Sequence, residues 1–371
     1  MLRKLIGLIA FLVFSLGLVS SVSGAVPTGD LVRANAVLWN PGDHQDWYEW
    51  WYYKIRDPKT NEDFYFCYGL VNPGGDPKGQ RPSFAYVNAG RFSDHTLIEQ
   101  KWTPQEFQQN DSTHRVTIGP GNVLGLESIQ GDIVGTKGER VRWDLQLKTD
   151  WSFDAMGWAR RVPELFNIYW YPLQASTLMT GWIEFKGQRY EVSETQGYHD
   201  RNWGRGFPKW WAWIASNEFE GSPGTVLASG GGRPRLLNLA SPLQGYTLGL
   251  RHRGHDYVFR PTDGDRLKMD IHFGQWSVEA TNRRNEKVVL KAFAAKSEFL
   301  VIPFVSPRGP VFKDYEALRG HSTVEVYTRA RPQAAWVLVD RLQSEHTGIE
   351  YGSFDDQEFH QMFRSGLILQ K

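Results

Sequence analysis

The stretch YHDRNWGRGFPKWWAWIASNEFEG, Tyr198–Gly221, places acidic and basic side chains directly before a tryptophan-rich run. Asp200 is the carboxylate of this group, and His199, Arg201 and Asn202 are its neighbours in the chain. A carboxyl group beside indole rings loses hydration, which raises its pKa and lets it hold a proton near neutral pH. The pattern therefore indicates a candidate general acid.

A tryptophan-lined wall is predicted around this acid, because the chain has 16 Trp and 14% aromatic residues. An indole face stabilises a cation by about 0.5–2 kcal/mol, depending on desolvation. With one protonated carboxyl group, such a wall suits protonation of an alkene and capture of the carbocation by an internal nucleophile. This chemistry is redox-neutral and needs no cofactor. The predicted wall residues are Trp50, Trp51, Trp203, Trp210, Trp211 and Trp213, and Glu49 is a reserve acid.

Purely structural interpretations compete with this chemistry. Asp200 could cap a turn together with Arg201, and Glu49 could point outward at a strand edge. The tryptophans could simply fill the interior of β-barrels. Asp200 is nevertheless favoured, because polar neighbours crowd what we predict to be an irregular loop, 199–206, directly before aromatic strand residues.

Alternation of apolar and polar residues predicts a mainly antiparallel β protein. In VRWDLQLKT (141–149), the first, third, fifth and seventh residues are apolar. Hairpins are predicted over 180–192, 246–261 and 275–295, each with a polar or glycine-containing turn at its centre. Helical patterns are few and short.

Two segments resemble copies of one unit, EWWYYKIRDPKTNEDFYFCYGL and KWWAWIASNEFEGSPGTVLASGG. Each opens a strand with a Trp pair and continues through a polar turn into a second strand. The pairs begin at Trp50 and Trp210, 160 positions apart. This spacing predicts a duplicated barrel or sandwich with a boundary between about 170 and 200. As two barrels, the N-terminal one occupies 31–190 and the C-terminal one 191–371, with a ligand site where they meet.

Charge and the N-terminus restrict the partners and the location. The net charge of +1 provides no global field for nucleic acid, so no nucleic-acid partner is predicted. Residues 1–25 carry Arg3 and Lys4 before a long apolar run, typical of a secretory signal peptide or, if uncleaved, a membrane anchor. An exported protein (periplasmic, secreted or lumenal) is therefore predicted, with membrane-surface contact as an option. No oligomeric state is predicted.

Familiar cofactor and nucleophile motifs are absent from the sequence. The chain has no GxGxxG, P-loop, GxSxG, HExxH or CxxC motif, so no cofactor is predicted. His252 and His255 lie beside a predicted hairpin turn, but the sequence shows no third ligand near them. No metal site is therefore predicted.

The segment 180–221 strongly resembles the core of the tocopherol cyclase family. The resemblance lies in its Thr-Gly-Trp-Ile-Glu strand, its Asn-Trp-Gly segment and its aromatic strand leading to Phe-Glu-Gly. LASGGGRPRLL (227–237) and WYEWWYYKIRDPKTNEDFYFCYGL (47–70) resemble further family segments, and the second is shared more loosely with carotenoid hydratases. The resemblance implies an all-β fold of two lipocalin-like antiparallel β-barrels, side by side with few short helices, and a small isoprenoid ligand.

The resemblance also implies a reaction class. Tocopherol cyclases close a prenylated quinol to a chromanol by alkene protonation and phenol attack. Carotenoid hydratases add water to an isoprenoid alkene, and some similar fungal cyclases perform cycloadditions. This chain has His199-Asp200-Arg201 where tocopherol cyclase has Ser-Glu-Lys, which keeps a carboxylate and a cation and adds a histidine. An export signal is also unexpected for a plastid or cyanobacterial enzyme.

The leading hypothesis is a tocopherol cyclase-like enzyme in which Asp200 donates or organises the proton. His199 and Arg201 would tune this acid, and Asn202 would orient the substrate oxygen. The alternatives are an isoprenoid hydratase or pericyclase, an exported non-enzymatic carrier of a hydrophobic ligand, and a carbohydrate-binding protein with exposed tryptophans. A buried carboxylate beside an isoprenoid-shaped space favours an enzyme, whereas an all-apolar cavity favours a carrier.

Overall fold

The computed structural model describes residues 28–355, apart from 111, 238, 240–243 and 273. The predicted export signal in 1–25 lies outside these residues. Across the described part of the chain, no helix combines the length and the apolar character needed to cross a bilayer.

Strands dominate the described residues, as the alternating pattern predicts. One α-helix, α1 (Thr28–Asn35), precedes 21 β-strands in this part of the chain. The strands are β1 Tyr48–Asp57, β2 Glu62–Val71, β3 Phe84–Arg91, β4 Thr96–Trp102, β5 Phe107–Asn110, β6 Arg115–Ile118, β7 Val123–Leu124, β8 Ser128–Val134, β9 Arg140–Trp151, β10 Tyr169–Phe185, β11 Gln188–Gly204, β12 Trp210–Ser216, β13 Val226–Gly232, β14 Gly245–His252, β15 His255–Phe259, β16 Arg266–His272, β17 Gln275–Thr281, β18 Glu286–Phe293, β19 Leu300–Val305, β20 Val311–Thr328 and β21 Val337–Ser353.

The first eleven strands form one antiparallel sheet in the order β4-β3-β2-β1-β11-β10-β9-β8-β7-β6-β5. The sheet curls on itself, so that β4 approaches β8, and the backbone N–H of Val134 donates to Gln100 Oε1 at 2.9 Å. Its interior is apolar because alternate strand residues point inward. Val141, Trp143 and Leu145 of β9 are buried there, as their spacing predicts.

The second sheet repeats this plan. Its order is β15-β14-β13-β12-β21-β20-β18-β17-β16, and β19 pairs with β20. In each sheet the first strand lies between the second strand and the last, since β1 pairs with β2 and β11, and β12 pairs with β13 and β21. The Trp pairs that begin at Trp50 and Trp210 therefore occupy equivalent strands. The predicted all-β fold of two antiparallel barrels is confirmed.

The region that links the two sheets differs from the sequence-based expectation. Residues 199–204, predicted as part of an irregular loop, belong to β11, so that prediction is wrong. The segment is extended because β1 and β10 hydrogen-bond to it from both sides. The predicted domain boundary at 190/191 falls inside β11, whereas the change of sheet occurs between Gly204 and Trp210.

The two sheets pack together through a layer of aromatic side chains contributed by both. In this layer the ring of Trp50 stacks on Phe304, with centroids 5.1 Å apart, and Phe207 lies edge-on to Trp211. Because these rings belong to both sheets, the interface holds the two barrels together. It also contains the candidate site.

Candidate active site

Strand β11 presents two chemically different faces, because successive side chains of a strand point to opposite sides. Tyr198, Asp200 and Asn202 face the interface between the sheets. His199 and Arg201 point into the first barrel and contact its interior and the segment after α1. The structure therefore separates the four polar residues that are neighbours in the sequence.

Asp200 is buried at the interface and borders the cavity between the sheets. Its Oδ2 accepts hydrogen bonds from Trp170 Nε1 at 2.7 Å and from the Tyr198 hydroxyl at 2.8 Å. Trp213 Nε1 in turn donates to the Tyr198 oxygen at 3.0 Å. Burial raises the pKa of Asp200 to about 7, although the two hydrogen bonds oppose the shift. Asp200 therefore holds a proton up to neutral pH.

The Asn202 amide favours the same protonated state of Asp200. The orientation of the amide follows from its hydrogen-bonding partners. The amide oxygen accepts from Trp50 Nε1 at 3.1 Å, and the amide nitrogen donates to the Tyr169 carbonyl at 3.3 Å. In this orientation the amide oxygen lies 3.4 Å from Asp200 Oδ1. Two oxygens this close repel unless one carries hydrogen. A proton on Oδ1 satisfies the contact, while Oδ2 keeps its two donors.

His199 lies away from the cavity, on the opposite face of β11. Its ring stacks on Tyr53, with centroids 4.1 Å apart, and its Nδ1 lies 2.9 Å from the Tyr52 carbonyl oxygen. Burial lowers the pKa of His199 to about 3, so the ring is neutral at ordinary pH. None of the hydrogen bonds described for the His199 imidazole or for the Asp200 carboxyl group joins these two side chains.

Arg201 and Glu49 form an ion pair inside the first barrel, and both side chains are fully buried. Arg201 also donates to the Ala36 carbonyl at 2.7 Å. Glu49 accepts from the backbone N–H groups of Leu38 and Trp39 at 3.0–3.3 Å. The pair thus ties the segment after α1 to β1 and β11. Glu49, the predicted reserve acid, does not border the cavity.

Three of the six predicted tryptophans border the cavity, namely Trp50, Trp211 and Trp213. The other three lie elsewhere. Trp51 donates its indole N–H to the Asn35 carbonyl at 3.0 Å within the first barrel, and Trp203 stacks on Tyr169 beneath α1. Trp210 stacks on Tyr351 against the second core. Alternation along each strand explains why only one member of each Trp pair reaches the interface.

The second sheet contributes three further acids to the cavity, which the sequence reasoning missed. Asp314 and Glu316 are two positions apart on β20, so they share a face, and Glu316 lies directly opposite Glu350 of β21. Trp211 Nε1 donates to Asp314 Oδ1 at 3.1 Å and to Glu350 Oε1 at 2.8 Å. The Tyr52 hydroxyl donates to Glu316.

Burial raises the pKa of all three acids. That of Asp314 rises to about 8, and those of Glu316 and Glu350 rise well above the ordinary value. Repulsion among the carboxyl groups adds to the shift of Glu316 and Glu350, and Asp200 contributes to that repulsion. The cavity therefore contains acids from both sheets that influence one another electrostatically.

Two glycines position Glu350 between indole rings. In GIEYG (348–352), the first, third and fifth residues share the interface face. A Cβ atom on Gly348 would lie 2.5 Å from the Trp213 ring, and one on Gly352 would lie 2.5 Å from the Trp211 ring. The glycines leave the space that these rings occupy. A glycine–acid–glycine alternation next to a Trp-x-Trp strand was the sequence signal for this part of the site.

The cavity has a volume of about 200 Å³. Aromatic rings form much of its wall, and Trp50, Tyr52, Trp170, Tyr246 and Phe304 line it together with the four acids. None of the described residues that line it is a lysine, arginine or histidine. No group of three or more His, Cys, Asp or Glu in the described part of the chain has metal-binding geometry. The site thus offers proton transfer in aromatic surroundings.

Comparison with known proteins agrees with the motif resemblance. The family described as tocopherol cyclase-like matches residues 85–353 of this chain. The chain belongs to the tocopherol cyclase-like family. The matched part of this family member includes β11, β20 and β21, which carry all four cavity acids, whereas β1 with Trp50 and Tyr52 precedes it.

Two curated relatives are plant proteins, one named a tocopherol cyclase and the other a probable tocopherol cyclase. The chain is 25% identical over 310 residues to the chloroplastic tocopherol cyclase of Zea mays. This match covers 69% of this chain and 64% of the maize protein. It is 24% identical over 295 residues to a probable chloroplastic tocopherol cyclase of Oryza sativa subsp. japonica, with 66% and 62% covered. The tocopherol cyclase-like chain thus spans less than two thirds of the length of either relative.

Among solved structures, kievitone hydratase from Nectria haematococca is similar to this tocopherol cyclase-like chain, with a TM-score of 0.47 and 12% identity. The match covers 83% of this chain and 90% of the hydratase.

Proposed function

We propose that this protein is an enzyme that closes a ring on a prenylated quinol, or on another isoprenoid lipid with a hydroxyl nucleophile. The observation that carries the proposal is the Asp200 carboxyl group. It is buried beside an aromatic cavity, its Oδ2 accepts two hydrogen bonds, and burial raises its pKa to about 7. A neutral carboxylic acid in such surroundings is suited to donate a proton to an alkene.

The reaction begins with proton transfer from Asp200 Oδ1 to one alkene carbon. The O–H bond and the alkene π bond break, a C–H bond forms, and the other alkene carbon becomes a tertiary carbocation. The substrate hydroxyl oxygen then forms a C–O bond to that carbon and loses its proton. The product is an isomer of the substrate, so no oxidant or reductant is consumed.

The aromatic wall supports the charged intermediate. The rings of Trp50, Trp170, Trp211 and Trp213 border the cavity and present π-electron density to a cation. The volume of about 200 Å³ matches a ring-sized group, because apolar cavities of about 150 Å³ bind benzene. A long isoprenoid tail would therefore extend beyond the cavity, and the quinol ring with its adjacent alkene would occupy it.

The test is to incubate the purified protein with a prenylated quinol in D₂O and analyse the product by mass spectrometry. Wild type is expected to give the chromanol with one deuterium on carbon. Asp200→Asn removes the proton donor, so it is expected to lose at least about 100-fold in rate. Asp270→Asn, a substitution of an exposed strand aspartate, is the matched control. Equal rates for wild type and Asp200→Asn would refute the role of Asp200.

Two alternatives give different results in the same experiment. An isoprenoid hydratase would capture the carbocation with water, so its product would be heavier than the substrate by one water. A carrier would return the ligand unchanged and without deuterium. The four acids that border the cavity support an enzyme over a carrier, for which an all-apolar cavity was expected. The burial of Trp50, Trp211 and Trp213 argues against stacking on sugars at an open surface.

The proposed location is outside the cytoplasm, on the basis of residues 1–25. Mass spectrometry of the protein from its native cells would test this. A mature N-terminus close to Ala25 supports export with cleavage, whereas an intact chain in the cytoplasmic fraction refutes it.

A further inference from the structure

The cavity between the sheets extends from buried acids to solvent. Asp200, Asp314 and Glu316 are each no more than 4% exposed. The lining also includes four residues that are partly or fully exposed, namely Met156, Phe166, Pro261 and Thr262. The cavity therefore opens to solvent at these four residues. A substrate that enters there passes them on its way to Asp200.

Exposed apolar side chains lie beside this opening. Two belong to the segment between β9 and β10 and two to the segment after β13, and they are Trp158 (41% exposed), Val162 (38%), Leu237 (46%) and Leu239 (68%). We call these four residues the apolar rim. Large apolar side chains that are exposed together beside a cavity mark a site of contact with another molecule, because their burial is favourable.

Hydrogen bonds place the apolar rim at the opening. The indole N–H of Trp158 donates to the carbonyl of Thr262, a lining residue, at 3.1 Å. The backbone N–H of Leu237 donates to the Leu165 carbonyl at 3.0 Å, directly before the lining residue Phe166. The segments from the two sheets thus meet at the opening and present one rim.

Two exposed arginines accompany the apolar rim. Arg161 and Arg235 belong to the two segments that carry it, and none of the ion pairs described for residues 28–355 involves either guanidinium group. Acids in these segments and beside the opening are already paired with other arginines, as Glu164–Arg205 and Asp263–Arg260. The rim therefore combines exposed apolar surface with positive charge, which complements an anionic surface.

We infer that the apolar rim docks on a lipid bilayer with anionic headgroups, so that a lipid substrate enters the cavity directly from the bilayer. The inference rests on the proposed function for the lipid nature of the substrate. Because the cavity of about 200 Å³ matches a ring-sized group, an isoprenoid tail extends through the opening. A bilayer buries both this tail and the rim. Indole rings and cations are favoured in the headgroup region, which suits Trp158, Arg161 and Arg235.

A second exposed apolar cluster provides the matched comparison. Val337, Leu338 and Val339 are exposed at the start of β21, and the exposed Arg331 lies shortly before them in the chain. None of these residues lines the cavity, whose β21 residue, Glu350, lies near the opposite end of that strand. Composition alone does not distinguish this cluster from the apolar rim, so the experiment compares the two directly.

The test uses the full chain with vesicles of phosphatidylcholine and phosphatidylglycerol. Because Cys67 is buried, a polarity-sensitive dye labels the Leu237→Cys variant at one position. We expect a blue shift of its emission and quenching by brominated lipid, and neither effect with the Val337→Cys variant. The full chain keeps residues 1–25 in both variants, so the dye reports which surface contacts lipid and not whether the chain is held at the vesicle. Absence of both effects for Leu237→Cys, or a larger effect for Val337→Cys, would overturn the inference.

Charge reversal tests the anionic headgroups. Arg161→Glu and Arg235→Glu should each lower the ratio of lipid-contacting to non-contacting dye on Leu237→Cys at least about fivefold. Arg331→Glu in the second cluster is the matched control and should leave this ratio unchanged. Vesicles of phosphatidylcholine alone should reproduce the loss without any substitution. An equal loss with Arg331→Glu, or no loss with anion-free vesicles, would overturn the role of the two arginines.

Other occupants of the rim, and failure of the proposed function, give different results. A dimer in analytical ultracentrifugation that Leu237→Asp abolishes would assign the rim to a second copy of this chain and overturn the bilayer. The dye experiment contains no substrate, so its result is independent of ring closure. Lipid contact at Leu237→Cys without chromanol formation refutes the proposed function alone, whereas chromanol formation with lipid contact only at Val337→Cys refutes the docking surface alone.

Discussion

Asp200 and Arg201 are consecutive in the chain, yet their side chains lie on opposite faces of β11 and serve different purposes. Asp200 borders the cavity between the sheets, and Arg201 is paired with Glu49 inside the first barrel. The proposed chemical role and the structural role are therefore one residue apart. Substitutions on the two faces should have separable effects on activity and stability.

The stability of the protein should depend on pH through Asp200. Burial raises its pKa from 3.8 to about 7, so the folded protein binds this proton more tightly than the unfolded chain. The resulting stabilisation is complete below pH 3.8 and is lost as the pH rises to 7. Asp200→Asn should therefore be more stable than wild type at pH 8, by roughly 4 kcal/mol at most. Urea unfolding at pH 4 and pH 8 measures the difference, and a pH-independent difference would contradict the assignment.

The rate of ring closure should fall at alkaline pH, because Asp200 must be protonated to act. We expect kcat/KM to decline about tenfold per pH unit above pH 7. The hydrogen bond from Tyr198 stabilises the ionised form and lowers the pKa. Tyr198→Phe should therefore move the alkaline limb upward by about one pH unit. A pH–rate profile of both proteins tests this, and a downward shift in the variant would exclude Asp200 as the titrating acid.

Glu49→Gln should destabilise the protein without removing its chemistry. The substitution leaves the buried Arg201 guanidinium without its counter-ion, which costs about 3–5 kcal/mol. Unfolding in urea measures the loss, and Glu191→Gln at an exposed position is the control. The activity per folded molecule should stay close to that of wild type, because Glu49 does not border the cavity. Loss of activity in a fully folded Glu49→Gln protein would show that Glu49 is part of the reaction after all.

Alanine at Gly348 or Gly352 should displace the indole ring that now occupies the space. Overpacking of this kind costs about 1–3 kcal/mol. Gly352→Ala acts on Phe312 and on Trp211, the donor to Asp314 and Glu350. Gly206→Ala is the control, because a Cβ atom there meets no neighbour within 4 Å. Equal thermal stability of all three variants would contradict the close contacts.

Much of the fold could be predicted from the sequence, because strand periodicity is a local property. The alternation in 141–149 correctly places Val141 and Trp143 inside the first barrel. The Trp pairs correctly indicate two equivalent strands. The segment 199–204 was misread, because its polar residues look like a loop until both neighbouring strands are known.

The site was predicted only in part, for a related reason. Asp200, Asn202, Trp50, Trp211 and Trp213 do meet at the interface. Proximity in sequence suggested that the neighbours of Asp200 act with it, but alternation sends them to the other face. The acids of β20 and β21 lie more than 100 positions from Asp200, and only the pairing of β12 with β21 brings them close. Register across sheets is a long-range property that one sequence does not display.

The equivalent construction of the two sheets has a consequence for how the molecule could be divided. The proposed proton donor belongs to the first sheet and the other three cavity acids to the second, and in the described part of the chain the backbone passes between the sheets once, from Gly204 to Trp210. A cut in this crossing would give two fragments, each carrying part of the residues that line the cavity. Recovery of the proposed activity on mixing them would report reassembly of the interface, so the two sheets offer a natural pair of reporter fragments.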